Sequence, residues 1–202
     1  IPARLQAQGT LPCPPVDVNR ADVINSITSS AANFTFATLQ DFQNGITNNL
    51  NLYINAKGGR NYAIQYRFLN GTVPVLNNGG TSISPLNALQ ASASFGPTGW
   101  GTLNVQIPNT NVTLSNSWST LATFKARCAV TNADLIVNLT ALGISAGVYN
   151  FFVRGSTPPL SYGTIPVEFQ LVNLDNPAAL PDAKSSPFEI LIGDVLSTTL
   201  NN

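Results

Sequence analysis

Ile1-Pro2-Ala3-Arg4-Leu5-Gln6-Ala7-Gln8-Gly9-Thr10-Leu11 alternates almost without a break. The odd positions Ile1, Ala3, Leu5, Ala7, Gly9 and Leu11 are apolar or lack a side chain. The even positions are polar or, at Pro2, unable to donate a backbone hydrogen bond. A period of two marks a strand with one buried face. Pro12-Cys13-Pro14-Pro15 follows, a stiff segment that cannot continue a sheet ladder. The segment therefore reads as a detachable strand on a rigid elbow. Such a strand needs a groove, either in its own domain or in a neighbour's.

The same alternation recurs downstream. Leu50, Leu52 and Ile54 share a face against Asn51, Tyr53 and Asn55. Tyr62, Ile64, Tyr66 and Phe68 form a second stripe, which ends at Asn70-Gly71, a strong hairpin signal. Leu103, Val105 and Ile107 continue the series to Pro108. Ala122, Phe124, Ala126, Cys128 and Val130 alternate over nine residues, and Leu135 to Ala141 and Tyr149 to Val153 follow. Ile165, Val167, Phe169 and Leu171 are regular, and Pro166 between them suits an edge strand. Phe188, Ile190 and Ile192 make the last strand. Helix is scarce: Ser84 to Leu89 could form a turn or two, with Ser84 as N-cap and Pro85 at the first helical position, and Ala21 to Ile27 is a weaker candidate. Eight to ten short strands separated by turn residues imply an all-β sandwich, and no linker divides residues 16–202.

Composition narrows the function. With 202 residues the chain can bury one substantial core, and 14 prolines and 15 glycines punctuate it as loops. Only 9% of residues are charged, against about 25% in ordinary soluble domains. Nine basic and nine acidic residues cancel, which removes the electrostatic case for nucleic acid or an anionic membrane surface. No run approaches a membrane-spanning length. The chain begins at Ile1 and contains no methionine, so processing of a signal peptide is expected. Cys13 and Cys128 are an even count, consistent with one disulfide in an oxidising compartment or with two unrelated thiols. So few charges should also let the fold survive acid, since full carboxylate protonation raises the formal charge only to about +9.

Sites for chemistry are few. Histidine is absent, which excludes Ser-His and Cys-His nucleophilic relays, and no metal-ligand or phosphate-loop spacing occurs. No cofactor is expected. Glu168 and Glu189 could form a glycosidase-like carboxylate pair, but solvated glutamates on an outer face are the simpler reading. Trp100 and Trp118 could be sugar-stacking platforms or ordinary packing residues. Four sequons occur, at Asn33, Asn70, Asn111 and Asn138, and all carry Thr. A secreted chain would use them for N-linked glycans.

The alternating N-terminal strand with Gly9 late in it, the cysteine pair, the sequons and the His-free, charge-poor composition together resemble the pilins joined by donor-strand complementation. Among these the likeness is to the thread pilins of thermoacidophilic archaea. The resemblance implies an incomplete immunoglobulin-like sandwich over residues 13–202, completed by the donor strand of another subunit, residues 1–12. Ile1, Ala3, Leu5, Ala7, Gly9 and Leu11 would then fill the groove, and a Cys13–Cys128 bond would anchor the strand's root. Asn33, Asn70, Asn111 and Asn138 would carry glycans. The implied protein is a non-enzymatic, secreted surface subunit that polymerises head to tail with identical copies, serving adhesion or biofilm formation. Pro2 departs from an ideal donor because it removes one ladder hydrogen bond near the tip. A monomeric adhesin or carbohydrate-binding sandwich, or a viral jelly-roll coat protein, are the other functions compatible with these residues.

Overall fold

Alternating burial runs along the central strands of the computed structural model, which describes Cys13 and residues 21–26, 31–78, 81–83, 89–101, 104–141, 160–176, 181, 183–185 and 188–194. The two expected stripes become β3 (Ile46–Ala56) and β4 (Arg60–Phe68). Their apolar residues Leu50, Leu52, Ile54, Tyr62, Ile64, Tyr66 and Phe68 are all buried. The other described strands are β1 (Val23–Ser26), β2 (Ala31–Phe36), β5 (Leu76–Asn78), β6 (Thr81–Ile83), β7 (Leu89–Phe95), β8 (Val105–Pro108) and β9 (Val112–Thr113). They continue with β10 (Ser119–Ala126), β11 (Val130–Ala141), β12 (Leu160–Asn173), β13 (Ala183–Lys184) and β14 (Phe188–Asp194).

These strands make a two-sheet β-sandwich. One sheet, called A here, runs β1-β3-β11-β7-β9. The other, sheet B, runs β2-β14-β12-β4-β10-β8, with β13 on β12. The first stretch of chain serves both layers: β1 pairs antiparallel with β3, whereas β2 pairs parallel with β14. The other described pairings are antiparallel. Completion by a donated strand concerns residues 1–12, which lie outside the described residues, as do the donor positions Ile1, Ala3, Leu5, Ala7, Gly9 and Leu11.

Between the sheets, Tyr62 stacks on Phe124 at 5.1 Å and Tyr66 on Phe169 at 6.1 Å, while Trp100 meets Phe95 and Phe124 edge-on at 4.6 and 5.1 Å. Offset and edge-on contacts avoid face-to-face quadrupole repulsion. Each buried large side chain contributes about 1.5–3 kcal/mol. The Tyr62 hydroxyl donates to buried Asp22 at 3.2 Å, and the Lys57 amide donates to the same carboxylate at 2.8 Å. This ties β1 to the β3–β4 turn.

Several expectations change here. The weak helix expected from Ala21 to Ile27 does not form over the described residues 21–26: Val23–Ser26 is strand, because Ile24 buries its side chain and the four residues find ladder partners in Leu52–Asn55. Tertiary pairing overrides weak local propensity. The nine-residue alternation from Ala122 to Val130 splits at Arg127–Ala129, so Cys128 sits in a turn between β10 and β11. Two strands joined by three residues keep the same parity. Pro166 lies on the interior strand β12 rather than on an edge strand. The proline is tolerated because the β4 ladder ends one residue later, at Val167–Phe68, leaving a strand partner on the β14 side alone. Asn70 and Gly71 both take positive φ, and Thr72 N–H closes the turn on the Leu69 carbonyl. That turn makes no hairpin, since β4 pairs with β10 and β12 while β5 pairs with β6. Leu103, Ser84 to Ala88 and Tyr149 to Val153 lie outside the described residues; Leu89 opens β7.

Candidate polymer interface

Cys13 and Cys128 form a disulfide, with their Cα atoms 5.3 Å apart. Its 115-residue separation makes it worth roughly 4–5 kcal/mol if the bond acts by restricting the unfolded chain. Three tight segments hold Cys128 in place. The β10–β11 turn carries it, the β3–β4 turn packs beneath it, and the loop before β8 flanks it. Gly58 permits the second contact: a Cβ there would come within 2.9 Å of the Ala129 amide nitrogen. Gly99 lets that loop lie on the start of β11, with φ +79° and room for no side chain, since a Cβ would fall 2.2 Å from the Thr131 carbonyl oxygen. Beside it Trp100 is buried and donates its indole N–H to the Asp134 carbonyl at 2.7 Å. Trp100 is thus a core plug. Asn104 links this loop to the disulfide, donating to the Trp100 carbonyl and accepting from the Cys128 amide at 3.1 Å.

One residue after Asn104, β8 begins. It pairs with β10 through Val105–Lys125, Gln106–Phe124, Ile107–Thr123 and Pro108–Ala122, and ends sheet B. Its apolar stripe faces the wrong way for a core. Val105 is 46% exposed and Ile107 56% exposed. The alternation around Ile107 predicts a buried face; the structure leaves it exposed. The root of the N-terminal segment and this bare apolar edge therefore share one end of the sandwich.

The sequons are spread around the body. Asn33, on β2, is exposed. Asn70 and Asn111 are exposed on turns, with φ of 54° and 53°. Asn138 is half-buried near the middle of sheet A's outer face, flanked by Asn49 and Ser92. All four reach the surface, the last with least room.

Glu168 is not a solvated glutamate. It is 5% exposed, ion-paired to Arg67 Nε at 2.7 Å, and accepts the Asn70 amide at 3.1 Å. Arg67 lies directly opposite it on β4, and β5 lies against β12. A charge so enclosed persists because it is paired and hydrogen-bonded. Glu189 pairs in the ladder with Pro166 rather than Glu168, so the strand register does not set the two glutamates opposite each other. Trp118 is half-buried under the Arg67 guanidinium, 4.3 Å from its ring centre, with the Lys184 ammonium at 5.7 Å. Among the described residues no cluster of three or more His, Cys, Asp or Glu could hold a metal ion. No described helix is long and apolar enough to cross a membrane.

No protein-family model matches the chain, and no curated protein matches it in sequence. Solved structures with a related outline include a PapD-like domain of human CEP192, at TM-score 0.41 and 10% identity, over 95% of this chain and 99% of that one. The BcpA major pilin of Bacillus cereus aligns at TM-score 0.38 and 10% identity, over 85% of this chain but 39% of its own. The CupB6 tip adhesin of Pseudomonas aeruginosa aligns at 0.37 and 11%, over 91% and 43%. At TM-scores below 0.5, none of the three bears on function.

Proposed function

We propose that this protein is a secreted, non-enzymatic structural subunit, resembling the archaeal thread pilins, that polymerises head to tail into an extracellular filament. Each copy donates residues 1–12 to the next. The observation that carries this reading is the Cys13–Cys128 disulfide, which fastens the root of the alternating segment to one end of the sandwich. A strand used as a mechanical joint needs such an anchor, because tension on its tip would otherwise peel its own root away. Eleven extended residues span about 35 Å, enough to run along a sheet edge and beyond it. Burial of Ile1, Leu5 and Leu11 in a neighbour would contribute about 1.5–3 kcal/mol each, and main-chain hydrogen bonds along the added strand would supply the rest. The contact is heterologous and does not close on itself, so it propagates. Glycans on Asn33, Asn70, Asn111 and Asn138, and adhesion or biofilm formation by the filament, belong to the same proposal.

The test is Leu5→Asp in the full chain. Thin fibres are expected by electron microscopy of the parent and not of the variant, with the β-sheet circular dichroism of the variant retained. A variant that polymerises as the parent does would refute strand donation. A variant that unfolds would place the strand inside its own sandwich.

A further inference from the structure

We infer that the seat for the donated strand is the free edge of β8, made by Val105, Gln106 and Ile107 of a second copy. This inference rests on the strand donation proposed above. The place between β2 and β12 is filled by β14, so an incoming strand must add at an edge. Sheet A ends in β1, where Ile24 is buried and the exposed residue is the polar Asn25, and in β9, only two residues long. Sheet B ends in β2 and β8. On β2 the outward residues Asn33 and Thr35 are polar and exposed while Phe34 and Phe36 are buried. On β8 the relation is inverted, and Val105 and Ile107 are two of the four large hydrophobic residues exposed among the described residues.

An edge strand bearing outward apolar side chains and no charge is a template for another strand. β8 carries no Lys, Arg, Asp or Glu.

The occupant is residues 1–11 of another copy. Its apolar side chains recur every second residue, the spacing of Val105 and Ile107, so the two rows mesh when the strands pair. The donor's root lies at the same end of the sandwich as Asn104 and the start of β8. Prolines at 12, 14 and 15 favour extended backbone beside Cys13, which suits a strand that serves a copy stacked on that end rather than its own β8.

Two measurements on the full chain decide the matter. Differently tagged Leu5→Cys and Ile107→Cys proteins are mixed under mild oxidation. The mixed disulfide dimer is expected at least about tenfold above that from Leu5→Cys with Thr35→Cys on β2. Equal yields from the two edges would overturn the assignment. So would a Leu5→Cys/Ile107→Cys double variant that links within one chain. In the second measurement, Ile107→Lys is expected to lower sedimentable polymer by at least about tenfold while the remaining monomer keeps its β-sheet circular dichroism. If Ile107→Lys leaves the polymer intact while Leu5→Asp abolishes it, β8 is the wrong edge and strand donation stands. If neither affects it, both inferences fall.

Discussion

The two edges of sheet B, β2 and β8, are built on opposite plans. β2 alternates Asn33 and Thr35 outward with Phe34 and Phe36 inward, and the outward Asn33 heads a sequon. It is joined to α1 (Leu39–Asn44), whose N-cap Thr38 and Asp41 form a reciprocal capping box. β8 shows Val105 and Ile107 to solvent and sits beside the disulfide. Natural sheets normally blunt their edges with polar or charged side chains. One edge here follows that practice and the other does not, which marks β8 as the place where something else binds.

The comparison is broken most severely by removing the disulfide. Cys128→Ser should lower stability by about 4–5 kcal/mol in the loop-entropy account, roughly 8–20 °C in melting temperature for a chain of this size. It should also free the donor root on the β8 side. Calorimetry of the oxidised, reduced and substituted proteins checks this, and a shift under a few degrees would mean the bond is mechanical and not stabilising. Next in size is Phe34→Ala on β2, which empties a core site 1% exposed and should lose about 3–5 kcal/mol. Ile107→Ala on β8 should lose less than about 0.5 kcal/mol, because the isolated molecule does not bury that side chain. Chemical denaturation separates the two edges directly. Equal losses would mean that β8 is covered in the monomer.

The smallest expected effect is acidic. The Ala37 and Thr38 amides, donating at 2.9 and 2.7 Å, hold the Asp41 carboxyl below its usual range. The Asn61 side chain and backbone hold Asp175 down in the same way. A carboxyl lowered by folding stabilises the fold above its unfolded value, near pH 4, and that contribution fades as pH falls through the lower folded value. Neither group is buried, so the loss below pH 4 should be slight, in keeping with the acid survival expected from composition. Asp41→Asn should flatten part of that slope and leave the melting temperature at pH 7 slightly lower. A steep collapse between pH 5 and pH 3 would contradict the account.

Much of this was legible in residue order. The stripe Tyr62, Ile64, Tyr66 and Phe68 declares a strand because nothing but a pleated backbone buries every second side chain. Thr38-Leu39-Gln40-Asp41 carried a capping signal for α1 that went unread among the strands. Glu168 could not be recognised as buried, because Arg67, its cover, lies 101 residues away and meets it only through strand register. Asp22 was likewise beyond reach: its partners Lys57 and Tyr62 come from the turn after β3 and from β4, 35 and 40 residues on.

By itself the sequence determined the all-β plan, the periodic strands, the scarcity of charge and the pair of cysteines able to bond. Local backbone geometry needs no distant partner to impose a period of two. Only the tertiary structure decided which side of each strand turns inward. Alternation is symmetric between the two faces, so Val105 and Ile107 read identically whether they lie in a core or, as here, bare on the last strand of a sheet. The partner layer breaks that symmetry, and it is assembled from residues far away along the chain.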